Sequence, residues 1–197
     1  ALSADRLALL VGDVCGKGVP AALFMAQSFS LWRAEASRQP TPAAALQAVN
    51  HHLISVNRTG MYVTMLCAVL DQRDGCLHYA RAGHPPLLVV QADGLPSSPA
   101  LRPGQMLGIF DDPRLDVGTV ELAPGSTALL YSDGLTEAFN DRGDEFSPEE
   151  IAAVVSRSLG AGAQGACHAL WQAVMGRTQE PGEQDDLAVM ALRRLQP

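Results

Sequence analysis

Hydrophobic and polar positions follow two periods along this chain, and the changes of period mark its elements. Arg6–Val14 is a largely apolar run, read as a strand, that ends in the glycine-rich loop Gly12-Asp-Val-Cys-Gly-Lys-Gly18. Pro20-Ala-Ala-Leu-Phe-Met follows, with proline in what reads as a first helical turn. Thr41-Pro42 repeats that start signal, and Leu46, Val49, Leu53 and Val56 then recur on one helical face. The two segments predict a helical hairpin.

Strands come next. Residues 62–70 are rich in β-branched and large apolar side chains, Asp74-Gly75 is a hairpin signal, and Leu77-His-Tyr-Ala-Arg alternates in polarity. Pro86-Leu-Leu-Val-Val predicts a third strand, closed by Asp93-Gly94, and the proline-dotted stretch 95–113 a loop lying over the sheet. Strands resume at 115–122 and 127–132. Ser147-Pro-Glu-Glu150 is a capping box, with Ile151, Val154, Val155 and Leu159 as the buried face and Gly160 as the stop. A second helix over 165–175 and a last strand over 187–192 complete the pattern. Strand pairs on short turns, with helices grouped in pairs, predict an α+β fold of antiparallel sheets covered by helices rather than a doubly wound parallel sheet. The sequence contains no internal repeat.

At 197 residues the chain is long enough for one sizeable domain with a real core. Its hydrophobic share of 47% against 18% charged residues excludes a disordered chain. A net charge of -7 argues against a general nucleic-acid binder, which needs a basic face. No apolar run approaches the roughly 20 residues that span a bilayer, so no membrane contact is expected of this segment. The opening Ala-Leu-Ser-Ala-Asp-Arg lacks the pattern of a signal peptide and enters a strand almost at once. A piece of a longer protein is the expectation. Cys15, Cys67, Cys76 and Cys167 are scattered, which predicts a reduced, cytoplasmic setting.

Three acidic positions change the picture. Asp13 follows Leu-Ala-Leu-Leu-Val-Gly, Asp133 follows Ala-Leu-Leu-Tyr-Ser, and Asp185 with Asp186 precedes Leu-Ala-Val-Met. A carboxylate at the end of an apolar strand is costly unless a cation, a donor or water compensates it. Converging carboxylates of this kind suit magnesium or manganese. Taken singly, each reads first as an ordinary turn aspartate. Asp141, in the polar loop after Phe139, carries no such expectation.

Together the motifs carry a resemblance. Gly12-Asp-Val-Cys-Gly-Lys-Gly-Val-Pro-Ala-Ala-Leu23, Ala82-Gly-His-Pro-Pro86, Tyr131-Ser-Asp-Gly-Leu-Thr-Glu-Ala138 and Asp185-Asp-Leu-Ala-Val189 resemble, in order, the motifs of PPM-type (Mg/Mn-dependent) protein phosphatases of the RsbU and stage-II-sporulation-E kind. The resemblance implies a four-layer α-β-β-α sandwich of two antiparallel sheets flanked by helix pairs. It implies a centre of two Mn2+ or Mg2+ ions, with Asp13 bridging both, the backbone carbonyl of Val14 as a further ligand, Asp133 and Asp185 completing one side, and Asp186 in reserve. The implied reaction is hydrolysis of phosphoserine or phosphothreonine on a protein by metal-activated water. The implied partners are an anti-sigma-factor antagonist as substrate and an upstream sensor domain. The family has a further acidic motif on a strand upstream of Ala1, and a chain lacking it would be a weak or inactive phosphatase-like interaction module. Cys15 stands where bacterial relatives usually have serine, and Ala188 where threonine or serine is common.

The remaining polar residues carry less. The loop is no nucleotide-binding P-loop, because Gly18 follows Lys17 and the four-residue gap between glycines is missing. Lys17 reads as a solvated lysine that could also meet a substrate phosphate. His84, between Gly83 and Pro85, reads as a turn histidine, and His51-His52 as helix histidines with no carboxylate nearby in sequence. Met61, Met65, Trp32 and Trp171 read as core or interface filling.

Overall fold

A computed structural model describes residues 1–58, 60–99, 102, 104–140, 142–177 and 186–195. Asp141 and Asp185 lie outside the described residues. In chain order the elements begin with β1 (Arg6–Val14), α1 (Val19–Glu35), α2 (Pro42–Val56), β2 (Val63–Asp71) and β3 (Cys76–Ala82). Then come β4 (Leu88–Val90), β5 (Pro96–Ser97), β6 (Asp116–Glu121), β7 (Thr127–Tyr131) and the short α3 (Asp133–Thr136). The chain closes with α4 (Pro148–Arg157), a 3₁₀ turn at Leu159–Ala161, α5 (Gly162–Arg177) and β8 (Val189–Arg193).

The chain divides into two compact units, Ala1–His84 with Ala100–Glu121, and Pro85–Pro99 with Leu122–Pro197. The first holds an antiparallel sheet in the order β1-β2-β3-β6, with α1 and α2 against one face. Thr41 caps α2 by accepting the Ala44 amide at 3.1 Å, and Pro42 occupies the first turn, where its missing N–H costs nothing. Leu46, Val49 and Leu53 are fully buried and pack on Val63, Met65, Cys67, Ala80 and Ala82, together with Phe24 and Trp32 of α1. The stripe ends one turn early, for Val56 is exposed. The Trp32 indole donates to Cys67 Sγ at 3.1 Å, and burial pushes that thiol up to about 12.

The second unit holds the sheet β5-β4-β7-β8, also antiparallel, covered by α4 and α5. The predicted capping box is present: Glu150 donates its amide to Ser147 Oγ at 3.2 Å and accepts the Ser147 amide at 3.0 Å. Ile151 and Val155 are buried with Leu170, Val174, Leu129 and Tyr131.

Several boundaries differ from the sequence reading. The stretch 95–113 is not wholly loop, because Pro96–Ser97 pairs with β4 and Leu107 bridges to Val63. Asn50, fully buried on α2, holds that loop by donating to the Phe110 carbonyl at 2.8 Å and accepting the Gly108 amide at 2.8 Å. Helix α4 stops at Arg157, so Leu159 sits in the 3₁₀ turn, and α5 begins at Gly162 rather than at residue 165. Trp171 is 52% exposed and stacks on His168, so it is not core of this unit. His52, without a carboxylate nearby in sequence, faces Glu35 of α1 at 3.7 Å.

Candidate active site

In the first unit the chemistry gathers where β1 ends. Gly12 stands opposite Met65, and a Cβ there would lie 2.8 Å from the Thr64 carbonyl oxygen and 3.2 Å from Met65 Cγ, so only glycine fits. Asp13 pairs in register with Thr64, whose hydroxyl donates to the Asp13 carbonyl at 3.4 Å and lies 2.9 Å from His84 Nδ1. One consistent arrangement has the imidazole donating from Nδ1 and the hydroxyl passing its own proton on to Asp13. His84 is in a bend, as expected of a turn histidine, yet it is buried. Its carbonyl accepts from Arg81 at 2.8 Å. Arg81 in turn pairs with the buried Asp116 at 2.9 Å and donates to the Arg102 carbonyl at 2.7 Å.

After Val14 the chain turns through Cys15-Gly16-Lys17-Gly18 into α1. Gly18 has a φ of 79°, a left-handed conformation that suits glycine. The Cys15 amide donates to the Tyr62 carbonyl at 3.0 Å, and the Cys15 sulfur accepts the Tyr62 amide at 3.1 Å. Lys17 is exposed.

In the second unit β7 is buried along its whole length and delivers Ser132 and Asp133 at its end. Asp133 opens α3, with its carboxylate accepting the Gly134 amide at 3.1 Å and its carbonyl accepting the Glu137 amide at 2.8 Å. The sequence showed only an Asp-Gly turn here. Ser132 brings a distant segment alongside: its hydroxyl donates to the Asp186 carbonyl at 2.8 Å and accepts the Ala188 amide at 2.9 Å. Its own amide donates to the Ala188 carbonyl at 3.0 Å. The loop after α3 is held by Arg177, which donates to the carbonyls of Ala138, Asp144 and Glu145, pairs with Glu150 at 3.1 Å, and lies 4.5 Å above the Phe146 ring.

The structure therefore joins the backbones around Asp133 and Asp186 within one unit and places Asp13 and Val14 at a strand end in the other. Among the described residues, no three His, Cys, Asp or Glu side chains form a group that could hold a metal. Asp13 and the Val14 carbonyl in the first unit, and separately Asp133 and Asp186 in the second, each offer only oxygen donors, the kind that suits a hard cation. A cleft of about 600 Å³ lined by Arg6, Thr41, Asp71, Arg73 and His78 opens near the start of β1 and contains none of these residues. Sequence reasoning missed Thr64 and Ser132 and read His84 as a turn residue. The Ala-Gly-His-Pro-Pro motif contains His84 and the Tyr-Ser-Asp-Gly motif contains Ser132, while no motif contains Thr64.

Comparisons with known proteins identify the family and the fold. The profile of the stage II sporulation protein E (SpoIIE) family matches residues 3–195. The phosphoserine phosphatase RsbU of Bacillus subtilis is 24% identical over 190 residues, covering 96% of this chain and 56% of that protein. The curated relatives are matched over 34% and 56% of their own length, so the chain spans about a third to just over half of each. Among solved structures, the RsbU and RsbW domains of Rv1364c from Mycobacterium tuberculosis superpose with a TM-score of 0.80 at 30% identity, over 100% of this chain and 54% of that one. RsbX in complex with magnesium superposes with a TM-score of 0.68 at 17% identity, over 96% of this chain and 81% of that one. The fold is that of the PP2C-like phosphatases, and the chain belongs to the SpoIIE family of PPM-type phosphatase domains.

Proposed function

We propose that this chain is a metal-dependent protein serine/threonine phosphatase domain acting on phosphoserine or phosphothreonine of a partner protein. The observation that carries the reading is the placement of Asp13 and Asp133, each where a strand of the SpoIIE-type fold ends, in two of the family's acidic motifs. Asp13, the Val14 carbonyl, Asp133 and Asp185 are the proposed ligands of two Mn2+ or Mg2+ ions, with Asp186 in reserve. Their assignment to one centre rests on the order of the motifs along the chain. The magnesium in the RsbX complex supports that class of ion. Such cations supply a water-derived nucleophile near neutral pH and offset the charge that grows on the phosphoryl oxygens.

The chain's own residues set the rest. Thr64 fixes the Asp13 carbonyl, and Ser132 fixes the backbone beside Asp133. Lys17, exposed in the loop after Asp13, can meet a substrate phosphate. The Cys15 sulfur is engaged by the Tyr62 amide, and no arginine shares its loop, so no covalent phosphocysteine is invoked. A four-layer stacking of the two sheets and their helices belongs to the proposal and is supported by the family fold. An anti-sigma-factor antagonist is the proposed substrate, supported by the likeness to RsbU and to a protein that also carries an RsbW domain. An upstream sensor domain and a cytoplasmic setting complete the reading. No helix among the described residues is long and apolar enough to cross a membrane.

The test is hydrolysis of a chromogenic aryl phosphate. The protein should act with added manganese and stop in chelator, and equal rates in both would sink the two-metal mechanism.

A further inference from the structure

Ser132 is buried, only 5% exposed, and its single hydroxyl is used in both directions. It donates to the Asp186 carbonyl at 2.8 Å and accepts the Ala188 amide at 2.9 Å, while the Ser132 amide donates to the Ala188 carbonyl at 3.0 Å. Three hydrogen bonds thus fasten residues 186–188 to the residue immediately before Asp133, across more than fifty positions of sequence. Beyond Ser132, β7 and β8 continue as a regular ladder, with Tyr131 opposite Val189. The hydroxyl therefore adds two bonds just where the regular ladder stops and the acidic residues begin. Asp133 is itself fixed, since its carbonyl accepts from both Glu137 and Thr136 as α3 opens.

We infer that Ser132 is a positioning residue of the proposed metal centre, setting the 186–188 backbone, and with it the Asp186 side chain, at a constant distance from Asp133. The inference rests on the phosphatase reading. Its physical basis is that a carboxylate ligand contributes fully only when its backbone is held before the cation arrives. Alanine at 132 removes one donor and one acceptor at once and leaves the Asp186 carbonyl and the Ala188 amide to find other partners. The hydroxyl of threonine can make both bonds.

The experiment compares the parent chain with Ser132→Ala, Ser132→Thr and Val155→Ala. The last trims a buried side chain of the core against which Leu187 also packs, but removes no hydrogen bond to Ser132 or residues 186–188, so it controls for a general loss of packing in this unit. Two quantities are read: the exchange rate of the Ala188 amide without metal, and the manganese dissociation constant by calorimetry. Ser132→Ala should speed Ala188 exchange at least about tenfold and weaken manganese about ten- to a hundredfold, the range usual for residues that orient metal ligands. Ser132→Thr should recover most of both, and Val155→Ala should bind manganese like the parent. Ser132→Ala with the parent's exchange rate and affinity would overturn the inference, as would an equal loss of affinity in Val155→Ala. A parent that binds no manganese would instead sink the phosphatase reading itself, so the two failures are told apart.

Discussion

Replacing Arg81 by methionine isolates what the buried ion pair of the first unit contributes. The Arg81 side chain is 12% exposed and that of Asp116 is 3% exposed, so both charges are largely out of water. Asp116 Oδ2 takes both contacts from the guanidinium, at 2.9 and 3.0 Å, while Oδ1 has no hydrogen-bond partner among the described residues. Methionine keeps much of the side-chain volume but strips the carboxylate of its counter-charge and the His84 and Arg102 carbonyls of a donor. Breaking a buried pair by removing one partner costs about 3–5 kcal/mol. Domain stabilities are about 5–15 kcal/mol, so the variant should be close to unfolding. Replacing both partners by apolar residues removes the stranded charge, and Arg81→Met with Asp116→Leu should recover most of the loss. Urea unfolding followed by Trp32 fluorescence measures both, because Trp32 is buried in this unit's core while Trp171 of the other unit is exposed. An Arg81→Met variant within about 1 kcal/mol of the parent, the worth of a surface pair, would refute the reasoning. So would a double variant as unstable as the single one.

Three further outcomes rest on other contacts. Gly12→Ala drives a Cβ to 2.8 Å from the Thr64 carbonyl and should cost about 1–3 kcal/mol by overpacking, measured by urea titration; an unchanged midpoint would contradict the close approach. Cys67 is held protonated by burial, which outweighs the opposing effect of the Trp32 N–H, and its folded value is raised from near 9 to about 12. That stabilisation is complete below the unfolded value and is lost as pH rises through the folded one, so unfolding free energy should fall between pH 9 and about 12, less so in Cys67→Ala. Burial of Tyr131, raised to about 12, adds to the fall from pH 10, and a flat profile across that range would count against both burials. Cys15→Ser keeps an acceptor for the Tyr62 amide and should retain most manganese-dependent activity; a folded, metal-loaded but dead serine variant would require a different mechanism.

The legible parts of the sequence were those with a local physical cause. The apolar runs of β1, β2 and β7, the Asp74-Gly75 turn, and the caps at Thr41 and Ser147 each act within a few residues, and the structure has them all. The four-residue α3 was not legible, because Asp-Gly reads as a turn until Ser132 fixes the strand end before it. Helix α5 was less legible for a related reason: its alanine- and glycine-rich sequence marks no clear buried face, so Trp171 read as core or interface filling, and its exposure removes the first of these. At the site, Asp13 and Asp133 announced themselves as charges at the ends of apolar strands. Thr64, His84 and Ser132 did not, since their partners lie twenty to more than fifty residues away and a hydroxyl carries no periodic signal.

The central claim is that Asp133 is a metal ligand of a phosphatase centre. Calorimetric titration of manganese into the parent, Asp133→Asn and the exposed control Glu121→Gln measures it directly. Asp133→Asn keeps the size of the side chain and its acceptor for the Gly134 amide but removes one ligand charge. The parent and Glu121→Gln should bind manganese alike. Asp133→Asn should bind it far more weakly, with turnover of an aryl phosphate reduced by orders of magnitude. A folded Asp133→Asn variant that binds manganese with the parent's affinity would contradict the claim.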